Sequence, residues 1–301
     1  MMHGNRLPGR SWRSMLFVPA HQRRMVERAH TRAADAIVLD LEDGVPEPSK
    51  AEARDMLGNA IVTLAGRGTD VIVRVNRELS ACVRDMDVAV RPGVAAITLP
   101  KVMGPEHIAL IDEMMIGTLE HERAMPIGGL RVIAMVETAA SLGRINAIAG
   151  AGARLCGITL GTEDLALDCG FAPTPDNLTD PMRSLVLAAR AAGLTPYGLP
   201  GSIAAIEEHT LFQSLARSAC AMGLEGAFCI HPSQVAALND AFSPAVAELC
   251  WARGAVEAFE QALRDGHGAV SFRGGMLDLP VIKRARALLA RERIASPSAA
   301  R

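Results

Sequence analysis

Aromatic residues are scarce in this chain. Phenylalanine, tryptophan and tyrosine make up only 3% of its 301 residues, whereas hydrophobic residues of all kinds make up 50%. Aromatic side chains therefore cannot supply most of the core, and alanine, valine, isoleucine, leucine and methionine must do so. A core of this kind is typical of parallel strands that are covered by helices.

Long apolar runs and paired cysteines are also missing. No run approaches the ~18 apolar residues that a membrane-spanning helix needs. Residues 1–12 are polar and basic and lack the apolar segment of a signal peptide. The 6 cysteines are spread along the chain without a Cys-x-x-Cys pair, which is typical of reduced thiols. We therefore expect a cytoplasmic protein that does not bind membranes.

The chain has no excess of charge of either sign. Its 31 lysines and arginines oppose 33 aspartates and glutamates, which gives a net charge of -2. A balance this close to zero argues against a general binder of nucleic acid. Any recognition of an anion must therefore come from a local group of residues, and a small molecule is the expected partner.

Short apolar runs, by contrast, recur throughout the chain. Eight of them occur between residues 14 and 230, and nearly all stop at a charged, histidine or proline residue. They cover residues 14–18, 36–39, 71–73, 95–99, 131–136, 155–160, 194–199 and 226–230. Helical patterns alternate with them, as a parallel α/β sheet demands. The pattern predicts a (β/α)8 TIM barrel, in which the carboxyl ends of the strands meet at one mouth.

The helical patterns continue beyond the eighth strand, further than a barrel needs. We predict a barrel catalytic domain over residues 11–240 and a C-terminal helical extension over residues 241–296. Within the extension, the glycine-rich segment 265–278 separates two helical patterns. Such a segment is interpreted either as a lid over a barrel mouth or as a surface hairpin between packing helices.

Two local signals predict where helices begin. Ser49 followed three residues later by Glu52 is the pattern of a capping box. Pro181 stands where the first turn of a helix over residues 180–192 would accept a proline without losing a hydrogen bond.

Carboxylates follow the fifth and sixth strands. Glu137 comes directly after one run, and Asp164 follows the next through three residues. On adjacent strands they would lie side by side, where each raises the pKa of the other unless a cation separates them. Oxygen ligands with room for water suit Mg²⁺, so we predict magnesium bound by Glu137 and Asp164. The alternative is that one of them is a helix N-cap or an ion-pair partner.

Arg74 ends the third strand and is expected at the same mouth. Its guanidinium would there bind a carboxylate of the substrate or stabilise an enolate. The alternative is an ion pair with Asp40 or Glu42, which follow the second strand.

The acidic run after the second strand is too dense to serve solubility alone. Glu42 and Asp43 are interpreted as acids behind the metal that hold its water or orient Lys50 and Arg54. A purely structural cluster of salt bridges is the alternative.

The motifs around these residues occur in a familiar order. They are RSMLFVP at 13–19, LDLED at 39–43, RVN at 74–76, LPK at 99–101, ET at 137–138, GTEDL at 161–165, CIHP at 229–232 and GMLDLP at 275–280. In this order the chain resembles the citrate lyase beta-subunit-like family of the HpcH/HpaI aldolase/citrate lyase superfamily, with malyl-CoA and citramalyl-CoA lyases among its relatives.

The resemblance implies a TIM barrel that holds Mg²⁺ on Glu137 and Asp164. It implies that Arg74 binds substrate and acts in catalysis, that Glu137 also contacts substrate, and that Asp278 reaches the site from an adjacent subunit as a proton carrier. The implied reaction cleaves or forms a short 3-hydroxy-dicarboxyl-CoA thioester, such as malyl-CoA or citramalyl-CoA, with a 2-keto acid and an acyl-CoA as the other side. A homotrimer or homohexamer is the implied assembly.

Two other functions stay open. One is an aldolase that acts on free hydroxy or keto acids, and it is favoured by the loop at residues 196–202, which lacks the Asp-Gly pair of many relatives. The other is a citrate lyase beta-type subunit that works with an acyl carrier protein.

Overall fold

The computed structural model describes residues 11–114, 118–204 and 206–295. They form two compact units, with the boundary between Asp240 and Ala241. In the described part of the chain, none of the helices is both long and apolar enough to cross a membrane.

Eight parallel strands form the wall of the first unit. In chain order, β1 to β8 cover Ser14–Pro19, Ala36–Asp40, Asp70–Arg74, Val94–Leu99, Arg131–Val136, Leu155–Leu160, Thr195–Tyr197 and Ala227–Cys229. Their order in the sheet is β7-β6-β5-β4-β3-β2-β1-β8. Backbone hydrogen bonds from Gly198 N to Gly226 O (2.9 Å) and from Glu225 N to Pro196 O (3.0 Å) join the region of β7 to that of β8. The predicted (β/α)8 barrel is confirmed.

Helices follow the strands and cover the sheet. In chain order, α1 to α11 are Arg23–Ala29, Lys50–Ala65, Leu79–Ala89, Pro105–Met114, Glu120–Glu122, Ala139–Leu142, Ile145–Ala149, Thr162–Cys169, Pro175–Ala192, His209–Met222 and Pro232–Ala241. Helix α9 buries Leu178, Met182 and Leu185, at the spacing of three or four residues that places side chains on one helical face.

The barrel interior is mostly aliphatic, as the composition predicts. One buried cluster joins side chains from seven of the eight strands, among them Met15, Ile72 and Ile133. Three aromatic residues complete it, Trp12, Tyr197 and Phe228, and Trp12 stacks on Tyr197 with 6.5 Å between the ring centroids. The indole Nε1 of Trp12 donates to Asp70 Oδ2 at 2.8 Å, so the polar group of the ring is satisfied although the residue is buried.

The capping box predicted at Ser49 is wrong. Ser49 ends a 3₁₀ helix over Glu47–Ser49, and its side chain accepts no capping hydrogen bond. The preceding Pro46 and Pro48 explain the difference, because the fixed φ of proline favours a tight turn before the α-helix begins.

The helix start predicted at Pro181 is also wrong. Helix α9 begins at Pro175, in the position that tolerates proline, and continues through Pro181. Its buried face already includes Leu178, so packing against the barrel outweighs the one backbone hydrogen bond that Pro181 cannot make.

The second unit consists of two helices joined by a hairpin. Helices α12 and α13 cover Val246–Arg264 and Leu279–Ala295, and between them β9 (Val270–Phe272) pairs antiparallel with β10 (Gly275–Leu277). The two turn residues, Arg273 and Gly274, have φ values of 47° and 81°, as a type I′ hairpin turn requires. The glycine-rich segment therefore forms a hairpin.

This unit has a core of its own. Phe259 of α12, Leu277 of the hairpin and Ile282 of α13 are buried together, and the partly buried Trp251 and Phe272 pack against them.

Candidate active site

A pocket of about 470 Å³ opens at the carboxyl ends of the strands. Its lining includes the charged residues Arg74, Glu137 and Asp164, which the sequence places at the ends of three different strand runs. The rest of the lining is largely apolar and includes Phe17 and Leu199. The mouth therefore combines charged groups with an apolar wall, as expected for a site that binds a small molecule.

Arg74 is held firmly at this mouth by Asp40. The two residues are register partners at the ends of β2 and β3, and the guanidinium donates from Nε and Nη2 to the two carboxylate oxygens of Asp40, both at 2.7 Å. Its Nη1 lies 3.0 Å from Glu42 Oε2, and its Cζ lies 4.5 Å from the ring centroid of Phe17. The ion pair considered as an alternative is thus formed, and Arg74 nevertheless lines the pocket.

Asp40 also shapes the loop that follows β2. Its carboxylate accepts the backbone N–H groups of Glu42 (2.9 Å) and Gly44 (2.8 Å). A Cβ at Gly44 would lie 2.4 Å from Asp40 Oδ2, so this close wrapping requires glycine. The loop therefore presents Glu42 towards Arg74 in one fixed arrangement.

Glu137 and Asp164 both line the pocket, as predicted. Glu137 follows β5 and is only 2% exposed. Asp164 lies in the first turn of α8, a helix that the sequence patterns do not predict. Burial, followed by the nearby charges of Glu42 and Asp164, raises the pKa of Glu137 to about 8. The mouth thus contains a buried carboxylate that strongly favours a neighbouring positive charge or a proton.

Lys101 is a site residue to which the sequence assigned no role. Its Nζ lies 2.7 Å from Glu42 Oε1, 3.1 Å from Asp43 Oδ2 and 3.9 Å from Asp164 Oδ1. Its backbone N–H donates to Glu137 Oε2. The available signal is its position two residues after β4, where a charged residue is expected at the mouth.

Lys50 and Arg54 are oriented differently from the sequence interpretation. Lys50 Nζ donates to the carbonyl oxygens of Leu41 and Glu42, each at 2.8 Å, and to Asn76 Oδ1 at 2.7 Å. The carboxylates of Glu42 and Asp43 are occupied by Arg74 and Lys101 instead. The side chain of Lys50 therefore supports the acidic loop by binding backbone carbonyl groups of that loop.

A buried network continues behind Lys50. The fully buried carboxylate of Asp85 accepts from Arg54 Nε and from the backbone and side chain of Asn76, at 2.6–2.7 Å. Asp85 lies within α3, so this helix helps to fix both Asn76 and the loop after β2.

Asp278 lies in the second unit, between the hairpin and α13. It is exposed, and its Oδ1 accepts the backbone N–H of Val281 at 3.1 Å. This bond is that of a helix N-cap. The catalytic role of Asp278 stays a prediction.

Few side chains at the barrel mouth are placed to bind a metal ion. Within residues 11–114, 118–204 and 206–295, no three histidine, cysteine, aspartate or glutamate side chains form a group that could hold a metal ion. A divalent ion at the mouth would rely on two carboxylates together with water and substrate, which is a common way of binding Mg²⁺.

The comparison with known proteins decides the family. Residues 13–232 match the HpcH/HpaI aldolase/citrate lyase family. The chain belongs to this family. The relationship to citrate lyase beta subunits that the motifs predict is confirmed, and with it the expectation of an enzyme from a family of lyases.

Similarity extends along nearly the whole chain. Citrate lyase subunit beta of Escherichia coli is 35% identical over 285 residues, which cover 94% of this chain and 93% of that protein. The (3S)-malyl-CoA thioesterase of Cereibacter sphaeroides is 35% identical over 286 residues, covering 93% and 94%. The crystal structure of protein CitE from Mycobacterium tuberculosis, in complex with magnesium, acetoacetate and coenzyme A, matches with a TM-score of 0.71 and 29% identity, covering 95% of this chain and 99% of that one.

Proposed function

We propose that this protein is a Mg²⁺-dependent carbon–carbon lyase. It cleaves or forms a short 3-hydroxy-dicarboxyl-CoA thioester, such as malyl-CoA or citramalyl-CoA, with a 2-keto acid and an acyl-CoA as the other side of the reaction. The observation that carries this proposal is the presence of Arg74 in the same pocket as Glu137 and Asp164. The relatives that bind magnesium and coenzyme A, or act on malyl-CoA, support it.

Glu137 and Asp164 are the residues that would hold the metal. The donors are oxygen atoms, and burial beside Glu42 and Asp164 raises the pKa of Glu137, so its carboxylate would be stabilised by a bound cation. Space around Glu137 is kept by Gly161, where a Cβ would lie 2.3 Å from Glu137 Oε1. When bound, magnesium supplies a Lewis acid for substrate oxygen atoms.

Arg74 would stabilise the charge that develops when the bond breaks. Cleavage leaves the bonding electrons on the acyl thioester as an enolate, and the substrate hydroxyl oxygen gives its proton to a water molecule and becomes the carbonyl oxygen of the keto acid. A guanidinium fixed by Asp40 and backed by Phe17 is already oriented for the enolate oxygen, so little reorganisation is needed during the reaction.

Asp278 is proposed to transfer the remaining proton. The enolate carbon must gain a proton to become the methyl group of the acyl-CoA, and the same carboxyl would remove it in synthesis. In this proposal Asp278 comes from a neighbouring subunit of a homotrimer or homohexamer, and residues 265–278 act as a lid over that neighbour's mouth.

A substrate panel tests the proposed function. Purified protein with Mg²⁺ is incubated separately with malyl-CoA, citramalyl-CoA and citryl-CoA, and the products are followed by mass spectrometry with an EDTA control. We expect metal-dependent release of glyoxylate, pyruvate or oxaloacetate. Arg74→Lys should lower kcat/KM by about 10²–10³, since lysine cannot reproduce the two bonds to Asp40. No release from any thioester by folded protein would contradict the proposal.

A second candidate is a citrate lyase beta-type subunit that works with an acyl carrier protein. It is favoured by the similarity to the beta subunit from Escherichia coli over 94% of the chain. Turnover of a carrier-bound thioester together with silence on all three CoA thioesters would select it.

Gly161→Ala tests the metal ligands without removing either carboxylate. The added methyl group must displace the Glu137 carboxylate, so we expect Mg²⁺ affinity to fall by about 10–100-fold in calorimetric titration. Gly152→Ala is the matched control, because the nearest heavy atom to its Cβ would be 3.6 Å away. Equal affinity in both variants would contradict the role of Glu137.

A further inference from the structure

We propose that Lys101 determines the metal selectivity of this site by keeping Glu42 and Asp43 away from the metal. The inference rests on the proposed magnesium site at Glu137 and Asp164. It assigns Lys101 a positioning role, since its ammonium group would act through the carboxylates that it holds.

The ammonium group of Lys101 contacts two sets of carboxylates. Its short contacts, 2.7 and 3.1 Å, go to Glu42 and Asp43, and its long contact, 3.9 Å, goes to Asp164. Glu42 Oε1 and Asp164 Oδ1 therefore lie no further apart than the sum of their distances to Nζ. Without the ammonium group, side-chain rotation would bring carboxylates of both sets to one bound cation.

The backbone of Lys101 contacts Glu137, one of the two proposed metal carboxylates. With φ at 48°, Lys101 is in the left-handed region, which is unfavourable for any residue except glycine and is found mainly where the surroundings impose it. In this conformation its N–H donates to Glu137 Oε2. The main chain of Lys101 thus binds the proposed metal ligand Glu137. Its side chain keeps the carboxylates of Glu42 and Asp43 away from the metal.

Both carboxylate oxygens of Glu42 have a cationic partner, whereas Asp43 pairs with Lys101. Arg74 holds one oxygen of Glu42 and Lys101 holds the other. The Asp43 carboxylate is 57% exposed and pairs with Lys101. Loss of the lysine side chain therefore releases Asp43 and one oxygen of Glu42.

The number of oxygen ligands decides between magnesium and calcium. Mg²⁺ is usually bound by one or two carboxylates and completes an octahedron with water, whereas Ca²⁺ takes six to eight oxygen ligands in flexible geometry. Release of Glu42 and Asp43 would add carboxylate oxygens and remove a positive charge. The lost positive charge favours both ions, whereas the added oxygen ligands favour the larger one, so Lys101 favours magnesium by limiting the ligand set.

Calorimetric titration of the metal-free full chain with Mg²⁺ alone and with Ca²⁺ alone tests this inference. Lys101→Met should raise the ratio of Ca²⁺ affinity to Mg²⁺ affinity by at least about tenfold, and Lys101→Arg should leave it near the wild-type value. Lys101→Gly should match Lys101→Met and adopts the left-handed backbone without penalty, so the test survives if the methionine variant misfolds. Arg183→Met, which breaks an exposed pair with Asp180, controls for loss of a positive charge.

A combined variant identifies the carboxylates responsible. Adding Glu42→Gln and Asp43→Asn to Lys101→Met should return the ratio to the wild-type value. An unchanged ratio in Lys101→Met and Lys101→Gly, with Mg²⁺ binding that is lost in Asp164→Asn, would overturn the role of Lys101 alone. Mg²⁺ binding that persists in Asp164→Asn would overturn the proposed metal site, and the inference with it.

Discussion

Glu137→Gln should lower magnesium-dependent turnover by about 10³-fold or more while making the metal-free protein more stable at pH 8. The loss of activity follows from removing one of two metal carboxylates, because a bound metal contributes several kcal/mol of charge stabilisation to the transition state. The gain in stability follows from the surroundings of this side chain, which is 2% exposed and close to the carboxylates of Glu42 and Asp164. Turnover and thermal denaturation of the two proteins measure these effects.

The pH dependence of stability has a definite sign. The pKa of Glu137 rises from an ordinary 4.5 to about 8 in the folded protein. Between these pH values the folded state keeps a proton that the unfolded chain loses, so the free energy of unfolding falls as pH rises, by about 1.4 kcal/mol for each unit of pKa difference. The stabilising contribution is complete below pH 4.5 and lost as pH passes 8.

The comparison therefore needs metal-free protein from pH 5 to 8.5. As pH rises, the free energy of unfolding of wild type should decline more steeply than that of Glu137→Gln. Added Mg²⁺ should restore the stability of wild type at pH 8 but should not stabilise the variant. Glu27→Gln, at an exposed position on α1, is the control and should follow wild type. Parallel curves for wild type and Glu137→Gln would contradict this account.

Arg154→Met should lower the free energy of unfolding by about 3–5 kcal/mol. Arg154 directly precedes β6, so it lies at the amino ends of the strands, where barrel residues serve stability. It is 3% exposed and donates to both oxygens of the fully buried Glu120, at 2.8 and 2.7 Å, as well as to Asp112. The variant leaves the carboxylate of Glu120 buried without its cation. Urea denaturation measures the loss.

Two further variants make this test specific. Arg183→Met removes an exposed partner of Asp180 and should cost no more than about 0.5 kcal/mol. Arg154→Met combined with Glu120→Gln should recover part of the loss, because no uncompensated charge is then buried. A loss in Arg154→Met as small as in Arg183→Met would show that the buried pair contributes little.

The sequence was sufficient to predict that Arg74, Glu137 and Asp164 line one pocket. Each follows an apolar run, and in a parallel barrel the carboxyl ends of all strands point to the same face. Periodicity alone therefore brings together residues that are 27 to 90 positions apart in the chain. The strand runs agree with the structure for the same reason, since a strand buried on both sides is apolar along its whole length.

The polar contacts around the site could not be predicted in this way. The left-handed backbone of Lys101 places its side chain on Glu42 and its N–H on Glu137. A lysine in the sequence does not indicate this conformation. Asp85 lies in the middle of a helix, where nothing in the sequence pattern distinguishes a buried acid from an exposed one. Lys50 and Asn76 meet only when folding brings α2, the loop after β2 and the loop after β3 together. Local sequence patterns therefore do not predict their contacts.

The scarcity of aromatic residues has a practical consequence for following the folding of this protein. Of the 2 tryptophans in the sequence, Trp12 is buried in the barrel unit and Trp251 lies on α12 of the second unit. Replacing either one by phenylalanine leaves a single emitting indole, so intrinsic fluorescence would record the unfolding of one unit at a time. Coincident or separate transitions in the two variants would then show directly whether the barrel and the helical extension unfold as one cooperative body.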